Sequence, residues 1–217
     1  TAQPIGPYGE SKLECERICA AARQRGLSVI VLRPRLIIGP GRLGVLKRLF
    51  DRVRAGKTVP MIGDGTTRYQ MVSVADVADA CIRAAAAAHA EGVFNLGSAD
   101  PPPVRELLSE LCRRAGTGAR PVGFPARLVT TALWGLHSIR LSPLVPEQFR
   151  IAPVDYVLDI AAAKRELGWT PRLSDADMLW QAYQSYVGAV VAGRSMSAEI
   201  IGAHSASQIA AKRVGSR

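Results

Sequence analysis

A predicted helix followed directly by a short apolar strand is the feature that most restricts the fold of this 217-residue chain. Residues 8–25 contain good helix formers and end at Gly26, and glycine commonly ends a helix because it adopts the left-handed conformation without strain. Residues 28–32 then have the sequence SVIVL, an uninterrupted apolar run typical of a strand covered on both faces of a parallel sheet. The chain is therefore expected to adopt an α/β fold.

The same alternation of strands and helices continues along the chain. The further predicted elements are strands at 69–74 and 92–96 and helices at 43–55, 75–89, 103–115 and 175–191. Long loops are expected between residues 124 and 171. The Ser-, Ala- and Gly-rich stretch after Gly193 is expected to fray or to be disordered.

Composition narrows the class of protein. A hydrophobic content of 48% allows a sizeable core. No apolar run reaches the length of about 18 residues that would span a bilayer, so no membrane span is predicted. The net charge of +10 favours anionic partners, but the basic residues form no block and aromatic residues are only 6% of the chain, so nucleic acid is not expected as a partner.

The cysteines and histidines show no metal-ligand spacing, and no metal site is predicted. Four cysteines in predicted helices are interpreted as buried thiols of a cytoplasmic protein, namely Cys15, Cys19, Cys81 and Cys112. No role is assigned to the three histidines, His89, His137 and His204. Asp76 is interpreted as the cap of a helix and Trp169 as a packing anchor.

Tyr8 and Lys12 are the candidate catalytic residues. Because they are four residues apart on a predicted helix, they lie on one face about one turn from each other. A tyrosine hydroxyl titrates at about pH 10 when unperturbed, and a neighbouring positive charge favours the phenolate that proton transfer near neutrality requires. The spacing alone is also compatible with an exposed Tyr/Lys pair that has no catalytic role.

The residues around this pair belong to a longer pattern. The pattern begins with Pro7-Tyr8-Gly9-Glu10-Ser11-Lys12, which Glu14 follows. The later segments, in chain order, are RPR at 33–35 with GPG at 39–41, IGDG at 62–65 with Arg68, Tyr69 and VSVADVA at 72–78, VFNLG at 93–97, and DIAAAKRELGWTP at 159–171. In this order the segments resemble the NAD-dependent epimerase/dehydratase family of extended short-chain dehydrogenases. The resemblance extends over residues 4–187, and five ordered matches are more specific than any one of them.

The resemblance implies a fold and a domain organisation. The chain would form the carboxyl-terminal part of a Rossmann-like, doubly wound parallel sheet together with a smaller α/β substrate-binding region. Residues 1–42 would end the NAD(P)-binding domain, residues 43–187 would form the substrate-binding region with some returning Rossmann elements, and residues 188–217 would be a tail. A homodimer is compatible with the family.

The resemblance also implies residue roles. Tyr8 would be the catalytic acid/base, and Lys12 would hold the nicotinamide ribose of NAD or NADP and lower the tyrosine pKa. The segment expected beside the nicotinamide carboxamide consists of Pro34, Arg35 and Leu36. Arg68 would contact the diphosphate of a nucleotide-sugar, a contact that suits a planar and permanently charged guanidinium. An arginine exposed on a hairpin is the competing interpretation of Arg68.

Parts of the family pattern are missing from the sequence. The glycine-rich loop that holds the pyrophosphate, the residue that selects NAD or NADP, and the catalytic Ser/Thr would all precede Thr1. The chain is therefore expected to be a carboxyl-terminal portion that binds NAD(P) poorly and is inactive by itself.

Three functions remain open at this point. The first is epimerisation or dehydration of a nucleotide-sugar through transient oxidation. The second is 3-beta-hydroxysteroid-dehydrogenase-like oxidation of a lipid-like alcohol, which the apolar residues 141–150 would suit equally well. The third is a non-catalytic NAD-binding or scaffold protein, which an intact Tyr8 and Lys12 argue against.

Overall fold

Strands and helices alternate through the residues that the computed structural model describes, which are 6–41, 46–87, 91–127, 129, 131 and 155–193. In chain order the elements are α1 (Gly6–Gln24), β1 (Ile30–Pro34), β2 (Leu36–Ile38), α2 (Leu46–Arg54), β3 (Val59–Ile62), β4 (Met71–Ser73), α3 (Val74–Ala86), β5 (Gly92–Leu96), α4 (Val104–Ala115), β6 (Pro121–Phe124), α5 (Ala161–Glu166) and α6 (Asp175–Val191).

The strands pair in parallel, as the alternation of elements predicted. β1 pairs with β5, with Ile30 opposite Gly92 and Pro34 opposite Leu96. β2 pairs with β4 and β3 pairs with β6 in the same parallel sense. Parallel strands need crossover connections, which the helices between them provide. The predicted α/β fold is thus confirmed.

Two apolar clusters hold these layers together. The larger cluster is centred on α2, α4 and α6, where Phe50, Leu111, Met178 and Tyr183 are buried together. The smaller cluster joins β1 and β5 to α3 and α5 through Val72, Phe94, Leu96 and Trp169, among others. Trp169 is fully buried and donates from Nε1 to the carbonyl of Asp76 at 2.9 Å, so its interpretation as a packing anchor is confirmed.

The ends of helices were predicted from the sequence more accurately than the short strands were. The α6 helix has the predicted bounds, and α4 ends at Gly116, whose φ of 64° is the left-handed conformation that glycine tolerates. β3 and β6 were not predicted, because Pro60 in one and Pro121 and Gly123 in the other are disfavoured in strands. Within the stretch 124–171, where long loops are expected, the structure adds the short helix α5.

Three local interpretations need correction. The cap of α3 is Ser73, whose hydroxyl accepts from the Asp76 N–H at 2.9 Å, while Asp76 itself is buried in the first turn. The predicted strand at 28–32 begins at Ile30 and is only half-buried, because β5 covers one edge and no described strand covers the other. Cys15 and Cys81 are exposed rather than buried, since they lie on outward-facing positions of α1 and α3.

Several predictions concern residues outside the described ranges. These are the start of the helix at 43–55, the end of the helix at 75–89, the apolar stretch 141–150, the tail from 194, Thr1 and the three histidines. Within the described ranges, no helix is both long enough and apolar enough to cross a membrane.

Candidate active site

Helix α1 brings the predicted acid/base pair together. The Lys12 Nζ lies 5.5 Å from the centroid of the Tyr8 ring, within the distance of about 6 Å at which an ammonium group is attracted to an aromatic face. Tyr8 is 69% exposed, and α1 has no buried residue. The two side chains therefore share one open face of the helix, as their spacing predicted.

A carboxylate on the same helix extends this face, and it was missed in the sequence. Glu16 lies one turn beyond Lys12 and accepts a bidentate contact from Arg33 of β1, with Nε at 2.6 Å from Oε1 and Nη2 on Oε2. The hydrogen bonds from Arg33 lower the pKa of Glu16, and the same contact raises the pKa of Arg33. The i, i+4 spacing from Lys12 was visible in the sequence, whereas the pairing with Arg33 needs the fold.

The segment predicted to face the nicotinamide joins two strand pairs. Pro34 ends β1 opposite Leu96 of β5, and Leu36 begins β2 opposite Met71 of β4. Between them, the Arg35 N–H donates to the Leu96 carbonyl at 2.8 Å. That N–H is therefore used by the sheet, and a hydrogen bond from it to a carboxamide is not available without breaking this contact.

The Arg35 side chain lies between two aromatic rings. Its guanidinium carbon is 4.5 Å from the centroid of Tyr69 and 3.6 Å from that of Tyr156, and its Nε donates to the Tyr156 carbonyl at 3.2 Å. Burial lowers the pKa of Arg35, and the two tyrosines oppose this effect. The Nη2 atom is buried without a hydrogen-bond partner among the described residues.

Arg68 lies at the end of the loop that precedes β4. Its Nη1 donates to the Pro101 carbonyl at 2.8 Å and lies 3.5 Å from Asp100, while its side chain stays 45% exposed. Its backbone N–H donates to the Asp155 carboxylate at 2.8 Å. One guanidinium nitrogen is thus used within the protein.

A cleft of about 570 Å³ opens where β3 and β6 end, close to Arg68 in the chain but not lined by it. Its lining includes Ile62, Thr66, Arg105 and Phe124. Arg105 donates from Nε to the Asp64 carbonyl at 2.7 Å, which fixes the cation at the cleft wall. No sequence pattern pointed to Arg105, because β6, which lines the same cleft, was not predicted.

Residues 155–160 are held against the strand ends by amide side chains that the sequence did not single out. The buried Gln70 donates to the carbonyls of Ser98 at 2.7 Å and Leu158 at 3.2 Å, and accepts from the Leu158 N–H at 2.9 Å. Asn95 donates to the Asp159 carbonyl at 3.0 Å. Gly97 leaves room for this arrangement, since a Cβ there would lie 2.3 Å from the Gln70 side chain.

Comparison with known proteins places this arrangement in a family. Residues 1–97 match the NAD dependent epimerase/dehydratase family. The protein y4nG of Sinorhizobium fredii is 38% identical over 186 residues, which cover 84% of this chain and 46% of that protein.

Two further relatives are named for different activities. The 2-alkyl-3-oxoalkanoate reductase of Stenotrophomonas maltophilia is 28% identical over 77% of this chain and 54% of its own length. A 3beta-hydroxysteroid-dehydrogenase/decarboxylase of Arabidopsis thaliana is 27% identical over 76% of this chain and 42% of its own length.

Among solved structures, UDP-glucose 4-epimerase of Thermotoga maritima with UDP-glucose is similar with a TM-score of 0.66 and 27% identity, over 87% of this chain and 55% of that one. The chain therefore spans about half the length of the proteins it matches. The family match, the relatives and the parallel α/β architecture agree, and the chain belongs to the NAD dependent epimerase/dehydratase family of extended short-chain dehydrogenases.

Proposed function

We propose that Tyr8 and Lys12 are the proton-transfer pair of an NAD(P)-dependent oxidoreductase that acts on a nucleotide-sugar. The observation that carries this proposal is the placement of the Lys12 ammonium over the Tyr8 ring on an exposed helix face. Tyr8 is exposed and Lys12 lies beside it on the same face, so a substrate hydroxyl can reach the Tyr8 hydroxyl for proton exchange while the lysine contacts the cofactor.

The donors near this pair are compatible with a dinucleotide. Lys12 has no ion pair among the described residues, so its ammonium protons are available to the ribose hydroxyls of a nicotinamide nucleotide. Residues 34–36 would lie beside the carboxamide, where the Arg35 N–H is already bonded to the Leu96 carbonyl. NAD or NADP, when bound, would supply the hydride acceptor and donor for oxidation of the substrate carbon. The part of these proteins that this chain does not span would bind the rest of the dinucleotide.

The nucleotide-sugar assignment rests on cations around the cleft. Arg105 is fixed at its wall, and Arg68, which follows the lining residue Thr67 in the chain without lining the cleft itself, has a partly exposed guanidinium. Two arginines suit a diphosphate because their N–H groups form charge-assisted and often bidentate hydrogen bonds to phosphate oxygens. The similarity to an epimerase that was solved with UDP-glucose favours the same class of substrate.

A lipid-like alcohol or ketone is the second candidate substrate. The bond from Arg68 to the Pro101 carbonyl favours it, because this part of the guanidinium already has a partner within the protein. The two relatives named as an oxoalkanoate reductase and a hydroxysteroid dehydrogenase are as similar to this chain as the epimerase is.

The substrate classes can be separated by a single substitution. Turnover of a UDP-sugar and of a 3-hydroxysteroid would be measured in the full-length enzyme and in its Arg68→Ala variant. Charge-assisted hydrogen bonds contribute roughly 1.5–3 kcal/mol, so loss of a diphosphate contact should raise KM for the UDP-sugar about ten- to a hundredfold and leave the steroid KM unchanged. Turnover of the steroid alone, unaffected by the substitution, would establish the second candidate. Absence of turnover with both classes would favour a non-catalytic role.

A further inference from the structure

Helix α1 carries the proposed proton-transfer pair without a hydrophobic anchor of its own. None of its 19 residues is buried within the described chain. Its side-chain hydrogen bonds to the rest of the described chain come from two arginines. Arg23, at its carboxyl end, donates to the carbonyls of Val29 at 2.8 Å and Gly92 at 3.3 Å. Arg33 of β1 holds Glu16 near the middle of the helix.

Glu16 lies on the face of α1 that bears the proposed pair. It follows Tyr8 by eight residues and Lys12 by four, so the three side chains form one row along the helix. Arg33 directly precedes Pro34 in β1. The ion pair therefore connects the row that contains Tyr8 to the strand end that leads into residues 34–36.

We propose that the Glu16–Arg33 ion pair is the positioning contact that sets the Tyr8–Lys12 face relative to residues 34–36. This inference rests on the proposed function of Tyr8 and Lys12. A bidentate contact fixes two points of a planar guanidinium against two carboxylate oxygens, so it resists rotation of the helix about its axis as well as displacement.

Helix geometry explains why this contact matters for chemistry. Tyr8 lies 15 residues before Arg23, which is about 22 Å at a rise of about 1.5 Å per residue. If Arg23 were the remaining anchor, a tilt of about 3° would move Tyr8 by roughly 1 Å, and a misplacement of this size can cost on the order of 100-fold in rate. Glu16 is only about 12 Å from Tyr8 along the axis and on the same row, so it limits this movement.

The test compares two carboxylates of the same helix. Glu16→Gln keeps the side-chain shape but removes the charge, whereas Glu14→Gln removes a carboxylate that pairs with Arg17 of the same helix at 3.1 Å. In the full-length enzyme, Glu16→Gln should lower kcat about ten- to a hundredfold with a much smaller change in KM, and Glu14→Gln should leave both constants unchanged. Arg33→Lys, which keeps the charge but loses the bidentate geometry, should lower kcat similarly, and the double variant should be no worse than either single variant.

A second measurement reports on position without turnover. Amide hydrogen exchange of the 217-residue chain should become faster over residues 6–24 in Glu16→Gln and stay unchanged over residues 175–191. Unchanged kcat in Glu16→Gln, unchanged exchange of α1, or faster exchange of the whole chain would each overturn the positioning role. If Tyr8→Phe leaves turnover intact, the proposed function itself is wrong. If Tyr8→Phe abolishes turnover and Glu16→Gln has no effect, only this inference fails.

Discussion

Helices α1 and α6 have similar lengths, 19 and 17 residues, but opposite relations to the core. The α6 helix buries six residues, among them Met178, Leu179 and Tyr183, against α2 and α4. The α1 helix buries none and is joined to the sheet by polar contacts. The side chains proposed for chemistry lie on the helix that contributes least to the core.

Because of this difference, stability and activity depend on different residues here, although in many proteins they depend on the same ones. Buried apolar area is the dominant favourable contribution to folding, so the stability of the described chain comes mainly from α6, α4 and the sheet. The orientation of α1 depends instead on a few directional contacts. Substitutions on α1 should therefore change activity and leave stability nearly unchanged, and substitutions in the core should do the reverse.

The largest expected effect is on activity, from Tyr8→Phe. This substitution removes only the phenolic oxygen from a side chain that is 69% exposed, so the fold should be unaffected. Loss of a positioned acid/base costs on the order of 10²–10⁴-fold in rate, and kcat of the full-length enzyme should fall within that range. Thermal unfolding and NAD(P) titration of the same variant provide the control. A twofold decrease in kcat would contradict the catalytic assignment.

The largest expected effect on stability is that of Trp169→Ala. Trp169 is fully buried with Val72, Phe94 and Leu96, and its loss should lower the free energy of unfolding by about 3–5 kcal/mol in chemical denaturation. The matched substitution on α1 is Ile18→Ala, where the side chain is 59% exposed and the change should stay within about 0.5 kcal/mol. Equal losses of unfolding free energy in the two variants would show that α1 packs into the core.

The same contrast explains what the sequence could predict. Local patterns sufficed where the signal lies within a few residues, as for the bounds of α6, the glycine cap of α4 and the shared face of Tyr8 and Lys12. The polar contacts of the candidate site connect residues far apart in the chain. Arg35 and Tyr156 are separated by 121 positions and Gln70 and Leu158 by 88. No periodicity encodes such pairs, because each depends on how the strands are ordered in space.

Short strands are the second kind of feature that the sequence did not predict. β3 and β6 contain proline or glycine and are four residues long, so their local propensity argues against a strand. They form because Val59 and Met61 are buried in the larger cluster and because the Val59 N–H donates to the Arg120 carbonyl at 2.8 Å. The cleft beside Arg105 depends on these strands, and for this reason it was not predicted.

The smallest expected effects concern two carboxylates at the start of α6. They show that the core beside this helix is not purely apolar. Asp175 is buried, and burial raises its pKa although its Oδ1 accepts from the Met71 N–H at 2.9 Å. Asp177 lies two residues later, and hydrogen bonds from Ser174 and Arg114 lower its pKa. The two groups should therefore have opposite effects on the pH dependence of stability.

A folded-state pKa above the unfolded value means that Asp175 favours folding only while it is protonated, and this contribution is lost as pH rises through the folded-state pKa. Asp175→Asn should accordingly raise the free energy of unfolding at neutral pH and approach the wild type in acid. Asp177 contributes stability above its unfolded pKa and loses it as pH falls through the lower folded-state value, so Asp177→Asn should destabilise at neutral pH and match the wild type in acid.

Urea unfolding of both variants between neutral and acidic pH measures the two trends. Because the Asp177 side chain is 47% exposed, added salt should reduce its effect more than that of the buried Asp175. Parallel trends in the two variants would mean that burial does not control the pKa of Asp175. The core beside α6 would then depend on polar contacts, as the orientation of α1 does.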